Sequence, residues 1–271
     1  MKFKLLDSKA IILKNRKELV TSLVAVAMVA AAGFTIGSAS LASAQDHSRR
    51  PSAAEAAFLK ENDVAMMKMM NDMAMKPTGD VDHDFVAMMA PHHQGAIDMA
   101  EAELRYGHNE QLIRIAQDIV VEELQEIAAM HAAMGEKLTP TEATLAAGFA
   151  GTTTGSRFSS PIQADNVPPS PKAEWPFLAE NAAGMTKMMN DMTIKPTGNI
   201  DRDFVAMMVP HHQGAIDMAQ AELRYGHEAQ LRRIAQEIIV DQIQQISLMR
   251  LAVGEPLPPP VSSPTDPPPG R

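Results

Sequence analysis

Two histidine pairs carry the most chemistry in this chain. His92-His93 and His211-His212 each follow a methionine pair, Met88-Met89 and Met207-Met208, by one helical turn. Residues four apart on an α-helix stack on one face. Asp84, Met88, His92, Met99 and Glu103 form one stripe, repeated as Asp203, Met207, His211, Met218 and Glu222. Met89 with His93, and Met208 with His212, form a neighbouring stripe. Thioether and neutral imidazole, in a chain without cysteine, suit a soft cation, copper in its +1 state above others. The competing reading is structural, because methionine at helical spacing is ordinary core filler. Adjacent histidines, each with methionine one turn earlier and both present twice, weigh against that reading.

The segment Asp84–His108 returns at Asp203–His227, 119 residues later, and only two of its 25 positions differ, 90/209 and 101/220. A repeat this close means two structural units of one plan. Ser52 and Glu55 form a capping box that opens a helix running to about Met73, with Phe58, Asn62, Met66, Met69 and Met73 on one face. Pro77-Thr78-Gly79 breaks it, and Asp82 is the expected cap of the motif helix, which ends at Gly107. Pro91 and Pro210, inside the motif, predict a kink or the start of a new helix. Asn109 caps a third helix that stops near Gly135, its apolar stripe interrupted by Glu123, whose counterpart is Gln242. Helix one adds further sulfur: Met66, Met67, Met69, Met70 and Met73, and in the second copy Met185, Met188, Met189 and Met192. Asp98 and Asp217 point off the first stripe, either orienting a histidine or solvated.

The fold class is all-α, with about three helices per repeat and no segment that alternates as a strand. The first repeat spans 52–135 and the second 173–252. The Thr/Ser/Gly/Ala/Pro-rich stretch 136–172 is a linker, flexible or partly extended, and the proline-rich 253–271 is a disordered tail. Three short helices bury little surface alone, so either the repeats pack on each other or two copies associate as a homo-oligomer.

Residues 1–44 carry six Lys/Arg, an apolar run and Ala42-Ser43-Ala44, the layout of a cleaved secretory signal; uncleaved, the same run would serve as a membrane anchor. Export to the periplasm or cell envelope follows. Cleavage takes the formal charge from −9 to −13, and no basic patch lies beyond the first residues, which excludes a nucleic-acid binder. Among catalytic signatures, Glu-x-x-His, His-Glu-x-x-His, a phosphate loop and Gly-x-Ser-x-Gly are all missing.

Phe85-x-x-Met88-x-x-x-His92-His93-x-x-Ala96-Ile97-x-Met99-Ala100, followed by Glu126-Ile127-x-x-Met130, resembles the domain-of-unknown-function 305 family. Both halves carry the resemblance, over about 60–135 and 180–252. It implies a ferritin-like helical bundle, export and, in some members, copper binding linked to copper tolerance. It also implies His92, His93, Met88 and Met99 as ligands, with His211, His212, Met207 and Met218 in the second copy. This chain departs from the family pattern at Glu123 and at Gln245. The expected function is copper sequestration or tolerance, with no catalytic residue assigned. A metal-free helical interaction module and a metal oxidase are the alternatives.

Overall fold

Each repeat folds as three helices because its apolar positions recur at the helical period and its polar breaks fall between them. The computed structural model describes residues 51–152 and 171–257. Helix α1 covers Ala53–Asp72, α2 Val81–Tyr106 and α3 Glu110–Ala133. Helix α4 covers Pro140–Thr152, and the second repeat supplies α5 Pro171–Asp191, α6 Ile200–Tyr225 and α7 Ala229–Ala252. Among the described residues there is no strand, and no helix is long and apolar enough to cross a membrane. The signal or anchor expected over 1–44, residues 153–170 of the linker and 258–271 of the tail lie outside the described residues.

The Ser52–Glu55 capping box forms as expected, each side chain bonded to the other residue's N–H. Two expectations are corrected, and one of two alternatives is ruled out. The motif helix is capped by Asp80, and in the second copy by Asn199, not by Asp82. Asp82 thereby becomes free to reach the other repeat. Helices α2 and α6 run unbroken through Pro91 and Pro210, so no new helix starts at either proline. The linker read as flexible or partly extended contains α4. Thr139 and Glu142 cap it reciprocally, an Ala-rich run extends it, and it docks on α3 with Phe149 against the core. Composition concealed a local capping box. Gly107 also ends α2 for an unexpected reason. Its φ is −70°, so no left-handed backbone is involved. A Cβ there would lie 2.3 Å from Glu103 Oε1, which folds over the residue.

Helix α1 packs on α2 and α5 on α6; α2 also packs on α6, and α3 on α7. The repeats therefore share one core, which includes the fully buried Phe58, Phe85, Phe177 and Phe204. Reciprocal contacts set α2 and α6 antiparallel. Asp201, in the first turn of α6, accepts the N–H groups of His108 and Asn109, each at 2.8 Å, beyond the end of α2. Asp82, in the first turn of α2, accepts from His227 and Glu228, at 3.0 and 2.9 Å, beyond the end of α6. The second half of α5 lies in its own repeat, yet Glu174 at its start takes the Gly79 N–H of the first repeat at 3.1 Å.

Each of the Asp82 and Asp201 carboxylates faces a buried glutamate. Glu103 and Glu222 are both 0% exposed, and none of their oxygens finds a donor. An ionised carboxylate without donors is very costly in such a place, so each is held as the neutral acid sharing its proton with the aspartate. Burial, then the hydrogen bond and charge of Asp201, push Glu103 up to about 8. Burial, then the charge and hydrogen bond of Asp82, push Glu222 up to about 9.

The folded state therefore binds these protons more tightly than the unfolded chain, whose glutamates titrate near 4.5. Their stabilisation is complete below that value and is lost as pH rises through 8 and 9. Replacing both by glutamine (E103Q/E222Q) is expected to recover, at pH 9.5, on the order of a few kcal/mol relative to the parent chain. Urea unfolding at pH 6 and pH 9.5 measures it; equal losses in parent and variant would refute the shared-proton arrangement.

Candidate metal centre

The centre is built where α2 and α6 cross. His92 and His211 are buried, with ring centroids 3.9 Å apart and planes inclined by 41°. Each imidazole reaches a thioether from the opposite repeat. His92 Nε2 lies 3.3 Å from Met188 Sδ, on α5. His211 Nε2 lies 3.3 Å from Met69 Sδ, on α1. The four donors thus come from four helices, two in each repeat, and neither repeat completes the set by itself.

Glycine makes this approach feasible. A Cβ at Gly214 would stand 2.7 Å from Met188 Sδ and 3.3 Å from His92 Nε2; one at Gly95 would stand 2.8 Å from Met69 Sδ. Met69 and Met188 lie directly over those glycines, each 2% exposed.

Burial, the charge of His93 and that of His212 drive His92 well below the ordinary histidine range; burial and the neighbouring histidines do the same to His211. Both rings are neutral at physiological pH, the form that ligates a metal. Their Nδ1 atoms are buried without partners.

The second histidine of each pair points elsewhere, toward α3 and α7. Its ring stands 6.4 Å from that of its neighbour in both repeats. His93 Nε2 lies 2.8 Å from Glu126 Oε2. Burial pushes His93 down, but the charges of Glu123 and Glu126 and the Glu126 hydrogen bond outweigh it, and its pKa is raised. His212 instead meets an amide, with Nε2 donating to Gln245 Oε1 at 2.6 Å. Burial takes it down to about 3. Gln245 passes the chain on to Glu122 Oε2 at 2.6 Å, and Gln242 donates to Glu123 Oε1 at 3.0 Å. The duplicated histidines thus differ in surroundings because Gln242 and Gln245 stand in the second copy where the first has Glu123 and Glu126.

Of the residues singled out in the sequence, His92 and His211 meet directly, with His93 and His212 alongside. Met89, Met99, Met207, Met208 and Met218 lie in the hydrophobic core, and Met88 packs on its edge. The sulfurs that reach imidazole nitrogen are those of Met69 and Met188. Helix-one methionine recurs in both copies, so its pattern could not pick out these two. Gly95 and Gly214, which mark a close approach on the facing helix, are the signal that could have done so. Asp98 and Asp217 accept from Gln94 and Gln213 at 2.8 and 3.0 Å rather than orienting a histidine. His131 sits in a separate surface cleft with Asp72, His83 and Glu136.

The chain matches the family model described as Domain of unknown function (DUF305) twice, over residues 37–134 and 160–253. It belongs to the DUF305 family. No curated protein and no solved structure matches it. In this DUF305 chain no group of three His, Cys, Asp or Glu side chains is placed to hold a metal ion among the described residues. The donor set that does converge is two nitrogens with two sulfurs, which fits a soft cation and not a hard one.

Gly214→Ala is expected to destabilise the protein by about 1–3 kcal/mol, because Met188 and His92 must both move. Gly148→Ala, where only Gln125 Nε2 lies within reach at 3.7 Å, is expected to leave stability unchanged or slightly improved. Urea midpoints compare the two, and an unperturbed G214A protein would contradict the packing described.

Proposed function

We propose that this DUF305 chain is an exported soft-metal binder that sequesters copper, in its +1 state, at one centre shared by both repeats. The observation that carries the reading is the reciprocal pair of nitrogen–sulfur contacts, each 3.3 Å, around two neutral imidazoles 3.9 Å apart. Met69, His92, Met188 and His211 would hold the ion, which brings a positive charge that thioether and neutral imidazole accept without a proton having to leave. The buried surroundings favour a cation of low hydration cost over a hard divalent one. Export, and with it a role in copper tolerance, rests on the basic, apolar and small-residue layout of residues 1–44.

Competition titration of the full chain with Cu(I) against a chromophoric chelator tests this. One tightly held ion per chain is expected, not two. Met69→Leu with Met188→Leu conserves volume in the core and is expected to weaken binding by ~100-fold or more, an effect at least as large as that of losing a ligand's supporting partner. Met99→Leu with Met218→Leu is expected to leave affinity unchanged. A chain that takes up no copper would leave a metal-free helical module, and two independent ions per chain would refute the shared centre.

A further inference from the structure

The centre and the polar layer beside it lie on one line. His92 meets His211, and Glu123 meets Gln242. Each of these is a residue touching its own counterpart 119 positions later. Counterparts touch only on the axis that relates the two repeats. That axis therefore runs from the α2–α6 crossing to the α3–α7 crossing.

Donor chemistry changes in order along it. Innermost are the sulfurs of Met69 and Met188, which close that side. Next come the imidazoles of His92 and His211, then His93 and His212, then the carboxylates of Glu126 and Glu123. Exposure rises in the same direction: Glu123 is 1% exposed and Glu126 3%, Glu122 is half-buried and Asp118 is exposed. The inner part of the column holds hydrogen-bonding capacity that the protein itself does not use. Glu123 Oε2 and Gln242 Oε1 are buried and have no partner.

The outer end gathers carboxyl groups. Burial and then Asp241, with Asp118 and Glu126 adding to it, push the Glu122 carboxyl up to about 7. Burial and then Asp241 and Glu126 raise Glu237 as well, against the opposing charge of Arg233. Five acidic residues on α3 and α7, Asp118, Glu122, Glu126, Glu237 and Asp241, are thus held within electrostatic reach of one another, where a polar chain leads inward.

We propose that this axial column is the path by which a soft or borderline cation reaches the four-donor centre, and that Glu122 and Glu126 draw it in. The destination rests on the function proposed above; the route and the residues that serve it are additional. An ion moving inward exchanges water for carboxylate oxygen, then nitrogen, then sulfur, so its desolvation is spread over several steps. The neutral amides of Gln242 and Gln245 matter here. Carboxylates in their place would hold the ion part-way, and passage needs sites that attract without trapping.

Silver(I), a soft and air-stable probe, tests the path by stopped-flow transfer from a competing dye to the full chain. Glu126→Gln reproduces the residue already present at 245, and it is combined with Glu122→Gln. The double variant is expected to take up Ag+ roughly 10-fold or more slowly, with a flatter ionic-strength dependence and the same final stoichiometry. Glu61→Gln, paired with Arg105 on the outer face of α1, is the control and is expected to keep the parent rate. An unchanged rate in the double variant, or an equal loss in the control, would overturn the path while leaving the centre intact. No Ag+ uptake by the parent chain would remove the destination and the path together. Should the double variant lose helicity, Asp241→Asn at the half-buried rim carries the same expectation and the same refutation.

Discussion

Two nearly identical helices packed antiparallel bring His92 against its own copy, His211. Everything else in this molecule follows from that constraint. At the centre, His92 faces His211 with rings 3.9 Å apart in a dry site, where two imidazolium charges could not coexist. Neutral rings with free nitrogens are the outcome, and among the described residues the thioethers of Met69 and Met188 are the soft donors brought to them. At the two ends the same antiparallel arrangement lays Asp82 against Glu222 and Asp201 against Glu103. There the like-charge conflict is relieved differently, by a retained proton and by the N–H groups that each aspartate accepts.

The places where the repeats have diverged become intelligible on this axis. Within the motif itself almost nothing differs. In the third helices, however, Glu123 and Glu126 of the first copy correspond to Gln242 and Gln245 of the second. Two glutamates at the 123/242 contact would oppose each other with no donor between them. One glutamate and one glutamine make a hydrogen bond of 3.0 Å. The same difference leaves His93 beside carboxylates and His212 beside an amide, so one ring's pKa is raised and the other's lowered. The DUF305 repeats here are thus two halves of one unsymmetrical interior, not two independent copies.

Helix one contributes in an unexpected direction. Each lies on its own motif helix, yet its sulfur serves the histidine of the other repeat, across 142 residues for Met69–His211 and 96 for His92–Met188. The glycines at 95 and 214 permit the required closeness, and the unbroken run of α2 and α6 through proline keeps His and Gly on one helix. A cluster made this way depends on the packing of the repeats, because its nitrogens and sulfurs separate if the halves do.

The sequence by itself determined the helical class, the duplication and the helix limits to within a residue or two. It also singled out the two histidine pairs. These are local matters: a capping box such as Ser52–Glu55 or an apolar period of 3.6 acts over one or two turns of chain. The helix hidden in the linker was equally local, in Thr139–Glu142, but lay under a composition typical of disordered segments. Tertiary structure alone decided which sulfurs stand beside the imidazoles, and that the repeats share one centre. It likewise decided that Asp82 and Glu103 serve the interface and not a helix cap or a ligand stripe. Periodicity tells which residues share a face but not what that face meets, and here every deciding contact joins residues from different halves of the chain.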